Sequence, residues 1–129
     1  MDNRHKLNRI VSADPRYSRD AYVFVLEALQ YTRQQTEAPG HVTGQQLLLG
    51  IKDLALQRYG SMAKVVFEHW GVTATIDFGN IVINMVNENL LSKTPDDKLE
   101  DFENVYDFDD VFVKQYTPAL KKNRRKTKQ

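Results

Sequence analysis

The sequence predicts a mainly α protein: a four-helix single domain with a C-terminal β-hairpin, winged-helix-like in its second half. Three observations predict it. Apolar residues recur at three- and four-residue spacing in four stretches between 19 and 89. Cap and glycine signals punctuate those stretches. From Leu99 to Asp109 the spacing changes to period two, the signature of an extended segment.

Residues 5–12 have the content of one or two helical turns, and Asp14-Pro15-Arg16-Tyr17-Ser18 reads as a turn, since proline restricts the residue before it to extended geometry. Ser18 is placed to cap a helix over 19–35, with Asp20 in the first turn, where the helix dipole favours an anion. Tyr22, Val25, Leu26, Leu29 and Arg33 form its stripe, and Val23, Phe24 and Ala28 widen it into a buried central helix. Ala38-Pro39-Gly40 breaks the chain. Thr43 and Gln46 match a capping box opening a helix to Tyr59, with Leu47, Leu48, Ile51, Leu54, Ala55 and Tyr59 inward. Gly60 ends it. Ser61 is then expected to cap a short helix over 62–70 with Met62, Val65, Val66 and Trp70 as its apolar side, closed by Gly71.

Thr73 or Thr75 starts the next helix, which reaches about Asn89 on a stripe of Phe78, Ile81, Val82, Met85 and Val86, leaving Asn80, Asn84 and Asn87 outward. Leu90–Lys93 reads as a strand and Thr94-Pro95-Asp96-Asp97 as a turn. In the segment that follows, Phe102, Tyr106 and Phe108 share one face and Asp101, Glu103, Asp107 and Asp109 the other. The predicted domain spans 1–113. Residues 114–129 read as a basic tail that lacks the apolar content to fold.

The blocks DPRYSRDAYVFVLEAL, HVTGQQLLLGIKDLALQRYGSMAKVVFEHWGV and DFGNIVINMVNENLLSKTPDDKLEDFENVYDF, with the ending YDFDDVF, resemble a family of small conserved hypothetical proteins restricted to Planctomycetes and Verrucomicrobia. The similar region covers roughly residues 10–113 and leaves the basic tail outside. The resemblance implies no particular activity, cofactor or catalytic residue.

Charge is the most informative global property. The net charge of the 129-residue chain is +1. Residues 1–113 nevertheless carry 11 bases against 17 acids, and residues 114–129 seven bases and no acid. Eight of the acids lie between Asp96 and Asp110. Segregation of this kind marks binding footprints. Lys121, Lys122, Arg124, Arg125, Lys126 and Lys128 are the candidate nucleic-acid contacts, able to neutralise phosphates without reading bases. Tyr116 is placed to stack on a base. Asp101, Glu103, Asp107, Asp109 and Asp110 are the candidate protein contacts; the tail reads equally as a solubilising terminus that contacts nothing, and self-association through tail and acidic face is a third reading of the same charges. DNA docking by the helix over 77–90 in winged-helix fashion is disfavoured, because that helix has no Lys or Arg and the next segment is acidic.

Enzyme chemistry leaves little trace. There is no cysteine, so thiolate nucleophiles, thiolate zinc sites and disulfides are excluded within this sequence. His5, His41 and His69 show no metal-ligand spacing. The acidic segment fails the EF-hand pattern: read from Asp101, the fifth position is Val105 and the sixth Tyr106. No phosphate-cradling glycine motif and no Gly-x-Ser-x-Gly is present. No cofactor and no metal site is expected. The expected function is a non-enzymatic binding or adaptor protein. The alternatives are an enzyme with a cleft near Tyr59, His69 and Trp70, and a structural subunit of a homo-oligomer joined through exposed apolar residues such as Ile83. The opening MDNRHKLNRIV lacks the apolar core of a secretory signal and no run is apolar enough to span a membrane, so a cytoplasmic location with no membrane partner is expected.

Overall fold

The computed structural model describes residues 3–35, 42–91 and 98–114. Five α-helices run through them: α1 (Asn3–Ala13), α2 (Arg19–Gln35), α3 (Gly44–Tyr59), α4 (Ala63–His69) and α5 (Thr75–Asn87). A 3₁₀ turn at Gly60–Met62 enters α4, another spans Leu99–Phe102, and a π-helical segment occupies Asp109–Lys114. Mainly α therefore holds. None of the described helices is long and apolar enough to cross a membrane.

Helix α2 is central. Ala21, Tyr22, Phe24, Val25, Ala28 and Thr32 are buried along it, and it packs against α1, α3 and α5. The α2–α3 crossing is close at Gly50, where a side chain would collide with the Thr32 hydroxyl; that hydroxyl donates to the Ala28 carbonyl at 2.7 Å. Helix α3 begins as expected: the Thr43 hydroxyl accepts from Gln46 N–H at 3.1 Å and the Gln46 side chain accepts from Thr43 N–H at 2.9 Å. It ends at Gly60, whose φ of 54° favours glycine.

Two local expectations change. Ser18 caps α2 through its backbone carbonyl, which accepts from Ala21 N–H at 3.1 Å, while its buried hydroxyl has no hydrogen-bond partner. In α4 the 3₁₀ entry rotates the register. Ala63, Phe67 and Trp70 face inward, while Met62 and Val65, expected inside, are 54% and 52% exposed. No side chain, Ser61 included, caps α4.

Phe67 is the hub of the core. Its ring lies 5.2–5.7 Å from the rings of Phe24, Trp70, Phe78, Phe108 and Phe112, within the range where tilted and edge-on aromatic pairs attract. Gly71, at φ 91°, then turns the chain so closely against the Arg16 carbonyl that no side chain fits.

The C-terminal β-hairpin is corrected. The described residues contain no strand, so the wing that a winged-helix second half requires is absent from them. The first reason lies at the end of α5. Asn89 takes φ 62°, Leu90 N–H donates to the Met85 carbonyl at 2.8 Å and Asn89 N–H to the Val86 carbonyl at 3.0 Å. This is a Schellman close, and it commits Leu90 to capping rather than to strand pairing. The second is that 98–114 satisfies its backbone locally. Asp101 N–H reaches Lys98 O at 3.0 Å, Glu103 N–H reaches Glu100 O at 3.1 Å and Val111 N–H reaches Asp107 O at 3.0 Å. The breaker at 38–40, the turn at 94–97 and residues 115–129 lie outside the described residues.

Candidate functional site

The acidic segment becomes a layer laid over the N-terminal half of α5. Gly44 and Gly79 leave room for the Phe102 ring: a side-chain carbon at either would come within 2.8–2.9 Å of Phe102 atoms. Thr75, 1% exposed, holds the layer from below. Its hydroxyl donates to the Phe102 carbonyl at 2.6 Å and accepts from Val105 N–H at 3.2 Å. Tyr106 clamps the layer to α3 by donating to the Leu48 carbonyl at 2.6 Å, and burial pushes its phenol well above the usual tyrosine range.

The expected partition of side chains survives the change of secondary structure. Phe102, Phe108, Val111 and Phe112 are buried, while Glu103, Asp107, Asp109 and Asp110 are exposed and Asp101 is partly so. The carboxylates are not equivalent, however. Asp101 accepts from Lys98 N–H at 3.1 Å, and Asp107 accepts from the N–H groups of Asp109 and Asp110 at 2.8 and 3.3 Å. These two acids cap the short helical segments. Asp109 sits 3.2 Å from the Lys64 ammonium, which also pairs with Glu68 at 3.1 Å; both carboxylates raise the Lys64 pKa above its ordinary value. Beside this layer three apolar side chains face solvent: Met62, Val65 and Val113, the last 52% exposed. The elements that carry them, the 3₁₀ turn, α4 and the π-helical segment, pack on one another.

A small hollow of about 180 Å³ opens where Thr73, Ala74 and Thr75 meet Asn104, Tyr106, Asp107 and Phe108. A second, about 170 Å³, lies between α2 and α3 at Tyr31, Thr32, Gln35, Gln46, Leu49, Gly50 and Asp53. Both are below the usual range for small-molecule sites. Among the described residues no three His, Asp or Glu side chains group as metal ligands.

A polar network staples the α1–α2 turn to α5. The Tyr17 hydroxyl donates to Asp77 at 2.6 Å and accepts from the Asn80 amide at 3.0 Å. Burial, with the Asp77 carboxylate, pushes the Tyr17 phenol up to about 12. The Asn84 amide donates to Asp14 at 2.9 Å and to the Tyr22 hydroxyl at 3.1 Å. Arg16 forks onto Asp14 at 2.8 and 2.7 Å and holds that carboxyl well below the usual carboxylate range. Asp77 also accepts from the N–H groups of Thr73 and Ala74, capping α5. Two of the three asparagines expected to point outward are thus committed inward; Asn87 is exposed.

The expected cleft near His69 is filled. Tyr59 and Trp70 pack edge to face at 6.0 Å, and both lie against Phe24. His69 is exposed at the end of α4, and the neighbouring Glu68 carboxylate is held by Lys64. Ile83 is 38% exposed, as its position off the stripe implied. Of the six candidate tail contacts, Lys121 to Lys128, all lie outside the described residues. No family model, curated protein or solved structure matches the chain.

Proposed function

We propose that the protein is a non-enzymatic binding or adaptor module, with a protein-contact face at its acidic C-terminal layer and nonspecific RNA or DNA contacts in its basic tail. One observation carries the reading. Acids and bases are sorted into adjacent stretches, and the acidic stretch is fixed with its aromatic side chains inward and its carboxylates toward solvent. Met62, Val65 and Val113 add apolar area beside those carboxylates. Such a surface suits a basic partner, since charge steers the encounter and apolar burial supplies the affinity. The family resemblance and a cytoplasmic location belong to the same reading and rest on the sequence blocks and composition.

The test compares the full chain with a variant in which Lys121, Lys122, Arg124, Arg125, Lys126 and Lys128 are all glutamine. Binding to a labelled single-stranded oligonucleotide is followed across a salt titration. Every phosphate that a cation no longer neutralises lowers the slope of log affinity against log salt by about 0.7. The variant is expected to leave several phosphates unneutralised and to flatten the slope accordingly. Equal affinity of the two proteins, or no binding in low salt, refutes the nucleic-acid half.

A further inference from the structure

The hollow between the start of α5 and the acidic layer has walls of a particular chemistry. Tyr106 and Phe108 line it with two aromatic rings, their centroids 6.2 Å apart and their planes at 37°. Asp107, between them in the chain, and exposed Asn104 add polar groups to the same wall. Thr73, Ala74 and Thr75 line it from the α5 side.

The hydrogen-bonding groups on the α5 side are already engaged. The Thr75 hydroxyl is taken by the Phe102 carbonyl and Val105 N–H, and the Tyr106 hydroxyl by the Leu48 carbonyl. Thr73 and Ala74 N–H both donate to Asp77, at 2.9 and 3.2 Å. The end of α5, which by itself would favour an anion, therefore already faces a full negative charge. Asp107 differs. Both of its bonds, from Asp109 and Asp110 N–H, are made by Oδ1, and among the described residues Oδ2 has no partner. The hollow thus offers aromatic surface and one open carboxylate oxygen.

We propose that this hollow takes the cationic side chain of a lysine or arginine presented by a partner protein. The proposal rests on the reading of the acidic layer as a protein contact and names the group recognised there. The size suits one side chain. At about 30 Å³ for each water-sized group, a hollow of about 180 Å³ holds about six, close to the non-hydrogen atoms of a lysine side chain. The apolar stem packs on Tyr106 and Phe108, whose rings also attract a nearby cation through their quadrupoles. The charge pairs with Asp107 Oδ2, and contact there leaves the bonds to Oδ1 in place. A concave site gives this carboxylate more hold than an open surface does, because low-dielectric walls reduce screening by water. An anion finds the reverse: Asp107 repels it and the Thr73 and Ala74 N–H groups are taken.

The test follows the amide resonances of the full-length protein as N-acetyl-lysine methylamide is added to millimolar excess. The norleucine analogue, which lacks the ammonium, is the control. The lysine probe, and its arginine analogue, are expected to shift the amides of 73–75 and 104–108 saturably, and norleucine to leave them in place. Asp107→Asn keeps an oxygen for the Asp109 and Asp110 N–H groups and loses the charge, so it should weaken the lysine probe by up to about fivefold. Ala74→Leu fills the hollow with Asp107 untouched and should abolish saturation; unchanged thermal unfolding checks that both variants fold. No shift of these amides, an equal shift with norleucine, or natural affinity in Ala74→Leu overturns the proposal. Salt-sensitive binding of a labelled oligolysine that Ala74→Leu leaves unchanged overturns the hollow and keeps the acidic layer as a protein contact. No binding of oligolysine or of the lysine probe overturns both. Movement of the same amides on neutralising the tail, with no probe present, shows that the chain's own cations fill the hollow and overturns a partner protein as its occupant.

Discussion

Replacing Thr75 by valine tests whether one hydroxyl holds the acidic layer on the domain. Valine is the same size, so no cavity opens and the core packing of a residue 1% exposed is kept. What disappears is the bond to the Phe102 carbonyl at 2.6 Å and the acceptor for Val105 N–H at 3.2 Å. A buried polar group stripped of its partner costs about 1–3 kcal/mol. The Phe102 carbonyl incurs that cost in full and the half-buried Val105 N–H part of it, giving a loss of about 2–4 kcal/mol. For a domain of ordinary stability, about 5–15 kcal/mol, this is a large fraction. Urea unfolding should show a lowered midpoint at unchanged slope, and amide hydrogen exchange should accelerate first across 99–113. Thr75→Ser keeps the hydroxyl and should cost about 1 kcal/mol, for the methyl group alone. A valine variant within about 0.5 kcal/mol of the natural protein, or a serine variant as damaged as the valine one, refutes the reasoning.

Two further outcomes follow from the same packing. Tyr17 is raised to about 12 in the folded state and ionises near 10 when unfolded, so its contribution is complete below pH 10 and is lost as pH rises toward 12. Chemical unfolding between those limits should show a decline that Tyr17→Phe reduces by up to about 2 kcal/mol. Gly79→Ala should destabilise by about 1–3 kcal/mol despite alanine's better helix propensity, because the new methyl meets Phe102 backbone-proximal atoms at 2.9 Å and Leu99 at 2.8 Å. A thermal midpoint equal to or above that of the natural protein would show that the layer yields.

The helices that were legible in the sequence are those whose signals are local. Helix α3 is marked at both ends by Thr43, Gln46 and Gly60, and α2 and α5 each carry enough turns for a stripe to stand out. Helix α4 has seven residues, too few to fix a phase once a 3₁₀ turn precedes it, so nothing in its pattern marks Phe67 as the hub. The alternation of aromatic and acidic residues after Leu99 reported correctly which side chains are buried and wrongly which backbone buries them. Two short helical segments joined by a turn, with Asn104 at φ 49°, reproduce the in-and-out order of a strand. The partners of Asn80 and Asn84 lie more than sixty residues away, and no periodicity reveals such a distance.

On the proposed reading, the carboxylates open to a partner would be a subset of those the sequence displays. Asp101 and Asp107 hold backbone N–H groups and Asp109 shares Lys64 with Glu68, so these acids already stabilise the layer they decorate. A basic partner competing for them would loosen the caps while forming an exposed ion pair, an interaction worth only about 0–1 kcal/mol. Exposed Glu100 and Glu103 carry no such cost in capping. The same small magnitude means that carboxylates alone give steering and salt sensitivity, with little affinity. Affinity for a proposed partner at this face would have to come from apolar burial, and Met62, Val65, Leu99 and Val113 are exposed side chains that would supply it, at about 25 cal/mol for each Å² covered. Partner binding here should then respond more strongly to Val113→Ser than to Glu103→Gln, and salt should change how fast the complex forms more than how long it lasts.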